Sequence, residues 1–186
     1  MPRYLVSGIA ELVSDVADVL REHGAEAVEV DDLADVPKVC ADAGPASFDG
    51  YVQLPATFTV QGKTAVERVH HFFAEGVLAR FPAVAAALPS LKPDSRLTFV
   101  TGVLPPDVST EDDVAARAAL VRILGQAAQA DAAKALRVCT VGSGATARDI
   151  ALTSLGRSDN AASFTSEPDE YSEWRIELLG MMWAET

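Results

Sequence analysis

Asp113 and Arg117 stand four residues apart in a segment of helical periodicity, which puts a carboxylate and a guanidinium on one helix face. Such a pair can serve as an acid–base dyad. It can equally be an exposed ion pair whose carboxylate favours the dipole of the first helical turn, and that structural role is the default. His70 and His71 are adjacent, so on a helix they diverge by about 100° and cannot both face one metal. His23 belongs to another predicted helix, and no metal site is expected. Cys40 and Cys139 have no metal-ligand spacing and are too few for a disulfide scaffold. Cys139 reads as a small buried hydrophobe in a strand, and Cys40 as a loop thiol with no histidine partner nearby. Gly142-Ser143-Gly144 lies between a strand and a helix. Its N–H groups could form an anion nest, but a tight strand-to-helix turn is the preferred reading.

The elements that must position these residues alternate. Strands are predicted at Tyr4 to Ser7, Ala27 to Val30, Tyr51 to Leu54, Arg96 to Val103 and Leu136 to Val141. Leu12, Val13, Val16, Val19 and Leu20 fall at helical spacing, and Gly24 stands where that helix would end in a left-handed residue. Thr64 and Glu67 match a capping box that opens a helix towards Arg80. Ser109/Asp112 or Thr110/Asp113 can cap a long helix reaching about Gln129, and a helix is also predicted from about Glu170 to Trp183. The segment from Asp31 to Gly50 has room for one loop, and Arg157 to Asp169 has the composition of a mobile loop. Strands without polar alternation, interleaved with helices, predict an α/β fold. It is a doubly wound, Rossmann-like parallel sheet of about five strands with helices on both faces, forming a single domain over residues 1–186. Such sheets bind ligands at the carboxyl ends of their strands.

Composition excludes several classes. The 186 residues are 49% hydrophobic and carry a net charge of −12. That apolar content excludes a disordered chain and suffices to bury roughly two-thirds of the unfolded surface. The acidic balance repels phosphate backbones, and no basic cluster offsets it, so no nucleic-acid partner is expected. The longest apolar run, around Phe81 to Leu91, contains two prolines and is too short for a membrane span. MPRYLVSG carries no signal-peptide pattern, which makes a cytoplasmic protein the expectation. Eleven Arg against four Lys, with abundant Ala, suggests a high-GC bacterial source.

The order of segments resembles the short-chain dehydrogenase/reductase family from Arg3 to about Asp149. YLVSG resembles its V-T-G entry, REHGAEAVEV its helix-Gly-strand continuation, and VDDLADV its acidic adenine turn. FDGYVQLPA lines up with D-x-L-V-N-N-A-G, SRLTFVTG with G-R-I-V-N-x-S-S, and VAARAALVRIL with Y-x-A-S-K-A-A-L. KALRVCTVGSG resembles the strand entering the P-G turn. The resemblance implies a cofactor cleft for NAD or NADP at Gly8, Asp31, Asp32 and Thr101, should a dinucleotide bind. It also implies subunit pairing through the helices at 64–80 and 110–129.

The departures concern the chemistry. Of the three glycines of TGxxxGIG only Gly8 stands, and the later two fall near Glu11 and Val13, with one residue deleted. A carboxylate beside a pyrophosphate costs Coulomb energy, and a side chain at a close-approach position blocks it. The family's catalytic Tyr and Lys fall at Asp113 and Arg117, and its Ser at Gly102, with Thr101 beside it. A carboxylate ionised at neutral pH accepts a proton but does not donate one, and Arg lacks the tunable pKa of Lys. Catalytic residues therefore stay unassigned, and no cofactor is predicted. The leading expectation is a catalytically degenerate relative that acts as a structural or regulatory subunit, with itself or beside an active short-chain dehydrogenase. One alternative is an NAD(P)-dependent oxidoreductase using Tyr51, Thr101 or Asp113 in a non-standard arrangement. Another is a small-ligand binding protein with 157–169 as its lid.

Overall fold

The computed structural model describes residues 1–8, 10–55, 61–100, 111–132, 134–142, 145–158 and 162–164. Six strands form one sheet: β1 (Arg3–Ser7), β2 (Glu26–Val30), β3 (Phe48–Gln53), β4 (Leu91–Val100), β5 (Arg137–Val141) and β6 (Ala162–Phe164). Their order is β2-β1-β3-β4-β5-β6. The first five are parallel, as the alternation of strands and helices predicts. The sixth is an addition: the polar stretch expected to be a mobile loop supplies a short antiparallel strand, Thr140 pairing with Ala162 and Val138 with Phe164. The helix predicted from Glu170 to Trp183 lies outside the described residues.

Successive residues of each parallel strand enter two cores. Leu5, Tyr51, Leu97, Phe99 and Val138 face α2 (Val36–Ala43), α4 (Arg80–Ala87) and α5 (Glu111–Asp131). Tyr4, Val6, Val52, Val100 and Val141 face α1 (Ala10–Glu22) and α6 (Ala147–Ser154). Burial on both sides is why these strands lack polar alternation. Gly24 takes φ +83°, closing α1 as its position predicts.

Two segments depart from expectation. The single loop between Asp31 and Gly50 is a 3-10 turn, Leu33–Asp35, followed by α2. Pro37 is compatible because it falls in the first turn, where its missing N–H is not needed. Val36 and Cys40, four apart, supply the buried face, so Cys40 is a core helix residue and not a loop thiol. The helix entered at Thr64 also runs past Arg80. It begins as α3 (Ala65–Phe73) under the full Thr64/Glu67 capping box, passes through a π-helical turn at Ala74–Leu78, and continues as α4. Among the described residues, Ala65–Ser90 is the one helix long and apolar enough to cross a membrane by length and composition. Its second half is buried against the sheet through Ala83, Val84 and Ala87, whereas no residue of α3 is buried.

Gly50 lies where β3 passes under Tyr4. A Cβ there would stand 2.5 Å from Tyr4 Cε1 and 3.0 Å from Arg96 O. Gly50→Ala is expected to destabilise the fold by about 1–3 kcal/mol through overpacking, read as a lower urea midpoint at unchanged m.

Candidate functional site

In a doubly wound sheet the ligand crevice opens where strand connections diverge to opposite sides, here beyond the carboxyl ends of β1 and β3. The residues at that point are Ser7 and Gly8 after β1, Asp31 and Asp32 after β2, and Gln53 and Leu54 after β3. Only Gly8 and Ile9 separate β1 from α1. Gly8 takes φ +141°, and its N–H donates to Val30 O at 3.2 Å. A Cβ on Gly8 would lie 2.6 Å from Leu54 Cβ and 2.9 Å from Leu54 O. Leu54, fully buried, donates its N–H to Ser7 O at 2.7 Å.

The structure thus brings Gly8 beside the end of β2, next to the exposed Asp31 and Asp32. The Asp32 carboxylate accepts from Ala34 N–H at 2.9 Å and caps the 3-10 turn. Glu11 is exposed in the first turn of α1. Val13 is fully buried in the α1 core, so it packs the helix against the sheet and does not project into the crevice. Thr101 and Gly102 lie outside the described residues.

On the α4 side of the same strand ends sits a polar cluster that sequence reasoning missed. Ser7, Tyr51 and Gln53 are fully buried, and Arg80 is 3% exposed. Ser7 Oγ and Tyr51 Oη share a hydrogen bond of 2.8 Å, and Gln53 Nε2 donates to Tyr51 Oη at 3.2 Å and to Arg80 O at 3.1 Å. Arg80 returns Nε to Gln53 Oε1 at 2.9 Å. Its Nη2 reaches Gln53 O at 3.1 Å and Val100 O at 2.9 Å. The guanidinium also stands 6.0 Å over the Phe99 ring. Burial pushes the Tyr51 phenol up to about 12, against hydrogen bonds from Ser7 and Gln53 that lower it. The Tyr51 phenol is thus held neutral, packed and hydrogen-bonded inside the cluster. The one signal in the sequence is a polar residue, Gln53, on a strand otherwise buried on both faces.

The remaining candidates are dispersed. Asp113 and Arg117 lie in the first two turns of α5. His23 Nδ1 contacts Val19 O at 2.9 Å on its own helix, and His71 Nδ1 accepts from Gln61 N–H at 3.4 Å. Cys139 is buried in β5, where Arg96 Nη1 approaches its sulfur at 3.7 Å. Burial raises the Cys40 thiol. Gly142 has open space where a Cβ would be and no positive φ, and Thr146 caps α6 through a second capping box with Asp149. Ser143 and Gly144 lie outside the described residues. Among the described residues no cluster of three metal-ligating side chains forms.

No protein-family model and no curated protein sequence matches the chain. Solved structures do. A small-chain dehydrogenase superposes with a TM-score of 0.63 at 20% identity, over 86% of this chain and 90% of that one. A putative short-chain alcohol dehydrogenase from Burkholderia multivorans gives 0.59 at 13% identity, over 83% and 89%. The chain shares the doubly wound, Rossmann-like fold of these structures. At these identities the likeness concerns architecture, and site chemistry must be argued from the residues themselves.

Two measurements probe the buried cluster of this sheet. Arg80→Met strips the donor from Gln53 Oε1, Gln53 O and Val100 O. A loss of about 3 kcal/mol or more in urea unfolding is expected, since buried acceptors are left unpaired. The second concerns alkaline pH. The folded phenol of Tyr51 titrates above its ordinary value of 10, so its contribution is intact below pH 10 and declines from there to about 12. Between those values the unfolded chain loses its proton first. Stability should fall by up to about 1.4 kcal/mol per pH unit in the native protein and less steeply in Tyr51→Phe.

Proposed function

We propose that this chain is a catalytically degenerate protein on the short-chain-dehydrogenase scaffold, acting as a structural or regulatory subunit through helix pairing. The observation that carries the reading is the state of α3. It is a well-capped helix with no buried residue, yet Val66 is 80% exposed and Val69 52% exposed, and Leu78, in the turn that follows, is 55% exposed. An apolar face left in water on an otherwise well-packed domain marks an interaction surface. The adjoining α5 buries Val121, Leu124 and Ala128 inward. The helices at 64–80 and 110–129 are those that pair subunits in the resembling family.

The loss of chemistry supports the same reading. Asp113 and Arg117 replace a phenol and a lysine, and neither restores a proton donor tuned for carbonyl reduction. The subunit role needs no NAD or NADP. It assigns the surface to a second copy of the chain or to an active short-chain dehydrogenase, and it involves neither nucleic acid nor membrane. The cytoplasm is the compartment it implies.

The test is the mass of the purified protein in solution, by light scattering or sedimentation. A homo-oligomer is expected, and Val66→Asp with Val69→Asp should dissociate it to monomers with unchanged circular dichroism, since both positions are exposed in the single chain. A native monomer that captures an active short-chain dehydrogenase through the same face would fix the hetero-oligomeric form. A monomer that pairs with neither would sink the proposal.

A further inference from the structure

Below the C-terminus of α6, towards the amino ends of the strands, three arginines gather in a chain whose net charge is −12. Arg96 of β4 and Arg137 of β5 are register partners, so their side chains leave the same face of the sheet side by side. Arg96 runs under the end of α6. A Cβ on Gly156, which takes φ +70°, would collide with its guanidinium, and its Nη1 lies 3.7 Å from Cys139 Sγ. Arg157 comes next in the chain, and its N–H donates to Leu152 O at 2.8 Å. Tyr4 packs over Gly50, beside Arg96, and donates its hydroxyl to Ser154 O at 3.3 Å. Burial and Asp49 raise the Tyr4 phenol, whereas Arg96 and Arg157 lower it. Both guanidinium groups therefore lie within electrostatic reach of that one side chain.

These cations lack a counter-charge among the described residues. The ion pairs there join Arg3 to Glu26, Arg21 to Asp18 and Glu29, and Lys92 to Asp49. None reaches Arg96, Arg137 or Arg157, and the last two are exposed. The last turn of a helix favours one cation beside it. Three guanidinium groups exceed that need.

The course of the chain brings an answering charge to this place. β6 runs antiparallel to β5, with Ala162 opposite Thr140 and Phe164 opposite Val138, so it leads towards Arg137. Residues 166–173 read SEPDEYSE, with carboxylates at Glu167, Asp169, Glu170 and Glu173 and no base. Glu167 is three residues beyond Phe164, a reach of at most about 10 Å. We propose that the acidic segment 167–173 of this chain docks on the cluster of Arg96, Arg137 and Arg157. Its carboxylates take charge-assisted hydrogen bonds from the guanidinium groups and anchor β6, a strand of three residues with few ladder bonds of its own. The cluster lies on the α6 side of the sheet, opposite α4, so the proposal does not depend on what covers α3.

The experiment follows cleavage of the Glu173–Trp174 bond in the full-length protein by a Glu-specific protease, with fragments identified by mass. Cleavage of such a bond tracks the population of the undocked segment. Raising NaCl from about 0.1 to about 1 M shortens the screening length from about 10 to about 3 Å and should speed cleavage of the native protein. Arg137→Glu with Arg157→Glu should speed it about tenfold at low salt and remove the salt response. Adding Asp169→Lys and Glu170→Lys to that variant should restore protection, a coupling that general destabilisation does not produce. Circular dichroism should be unchanged throughout, since Arg137 and Arg157 are exposed. Equal cleavage of the native and charge-reversed proteins at both salt concentrations overturns the proposal. So does protection lost on dilution, which places the segment on a second copy. Saturable binding of inorganic phosphate to the native protein, abolished by the charge reversal, also overturns it by showing the cluster open to an outside anion.

Discussion

Gly8 and Leu54 approach so closely that no side chain fits between them, and much of the molecule is arranged around that contact. It fixes where β1 ends, and with only one further residue before α1 it also fixes where that helix begins. Once α1 starts that early, Val13 turns inward with Val16 and Leu20 and seals the helix onto Tyr4, Val6 and Val52.

The opposite side is organised by Arg80. A guanidinium that is 3% exposed is expensive to bury, and it is retained because it donates to carbonyls at the ends of β3 and β4 and to the Gln53 side chain. Those bonds anchor the long helix at the residue that opens α4, just past the π-helical turn. Widening the helix at Ala74–Leu78 changes the phase of the residues on either side. After the turn α4 faces the core, and before it α3 stands clear with its apolar residues in water. Anchor and phase change together explain how one continuous helix can be core at one end and surface at the other.

What is legible in the sequence follows from which signals are local. Five parallel strands and their two-sided burial are readable from unbroken apolar runs, and the start of α3 from Thr64 and Glu67, because both depend on neighbours in the chain. The helix at Val36–Ala43 is not, since Pro37 and the nearby glycine and proline look like a loop until the first turn is seen to tolerate proline. Gly8 stands out in the sequence, but as a phosphate contact, because its actual neighbour, Leu54, is distant in the chain and no spacing rule points to it. The Ser7–Tyr51–Gln53–Arg80 cluster is hidden for the same reason. Each member is ordinary on its own element, and only the alignment of Ser7 with Gln53 in the sheet brings them together. Thr101, at which the resemblance places a fourth cleft residue, falls outside the described residues.

The Gly8–Leu54 contact and the exposed face of α3 are opposite uses of apolar surface in one fold. Leu54 is fully buried against Gly8 at the end of the sheet, where the chain packs closely. An exposed apolar helix face behaves differently. Val66 and Val69 incur hydration and aggregation costs in a monomer, and polar substitution at such exposed positions is nearly neutral for folding. On the proposed subunit reading, a partner covers that face. Nothing in the packing of the single chain calls for valine at positions 66 and 69, which is why the proposed subunit role is argued from that face and not from the strand ends.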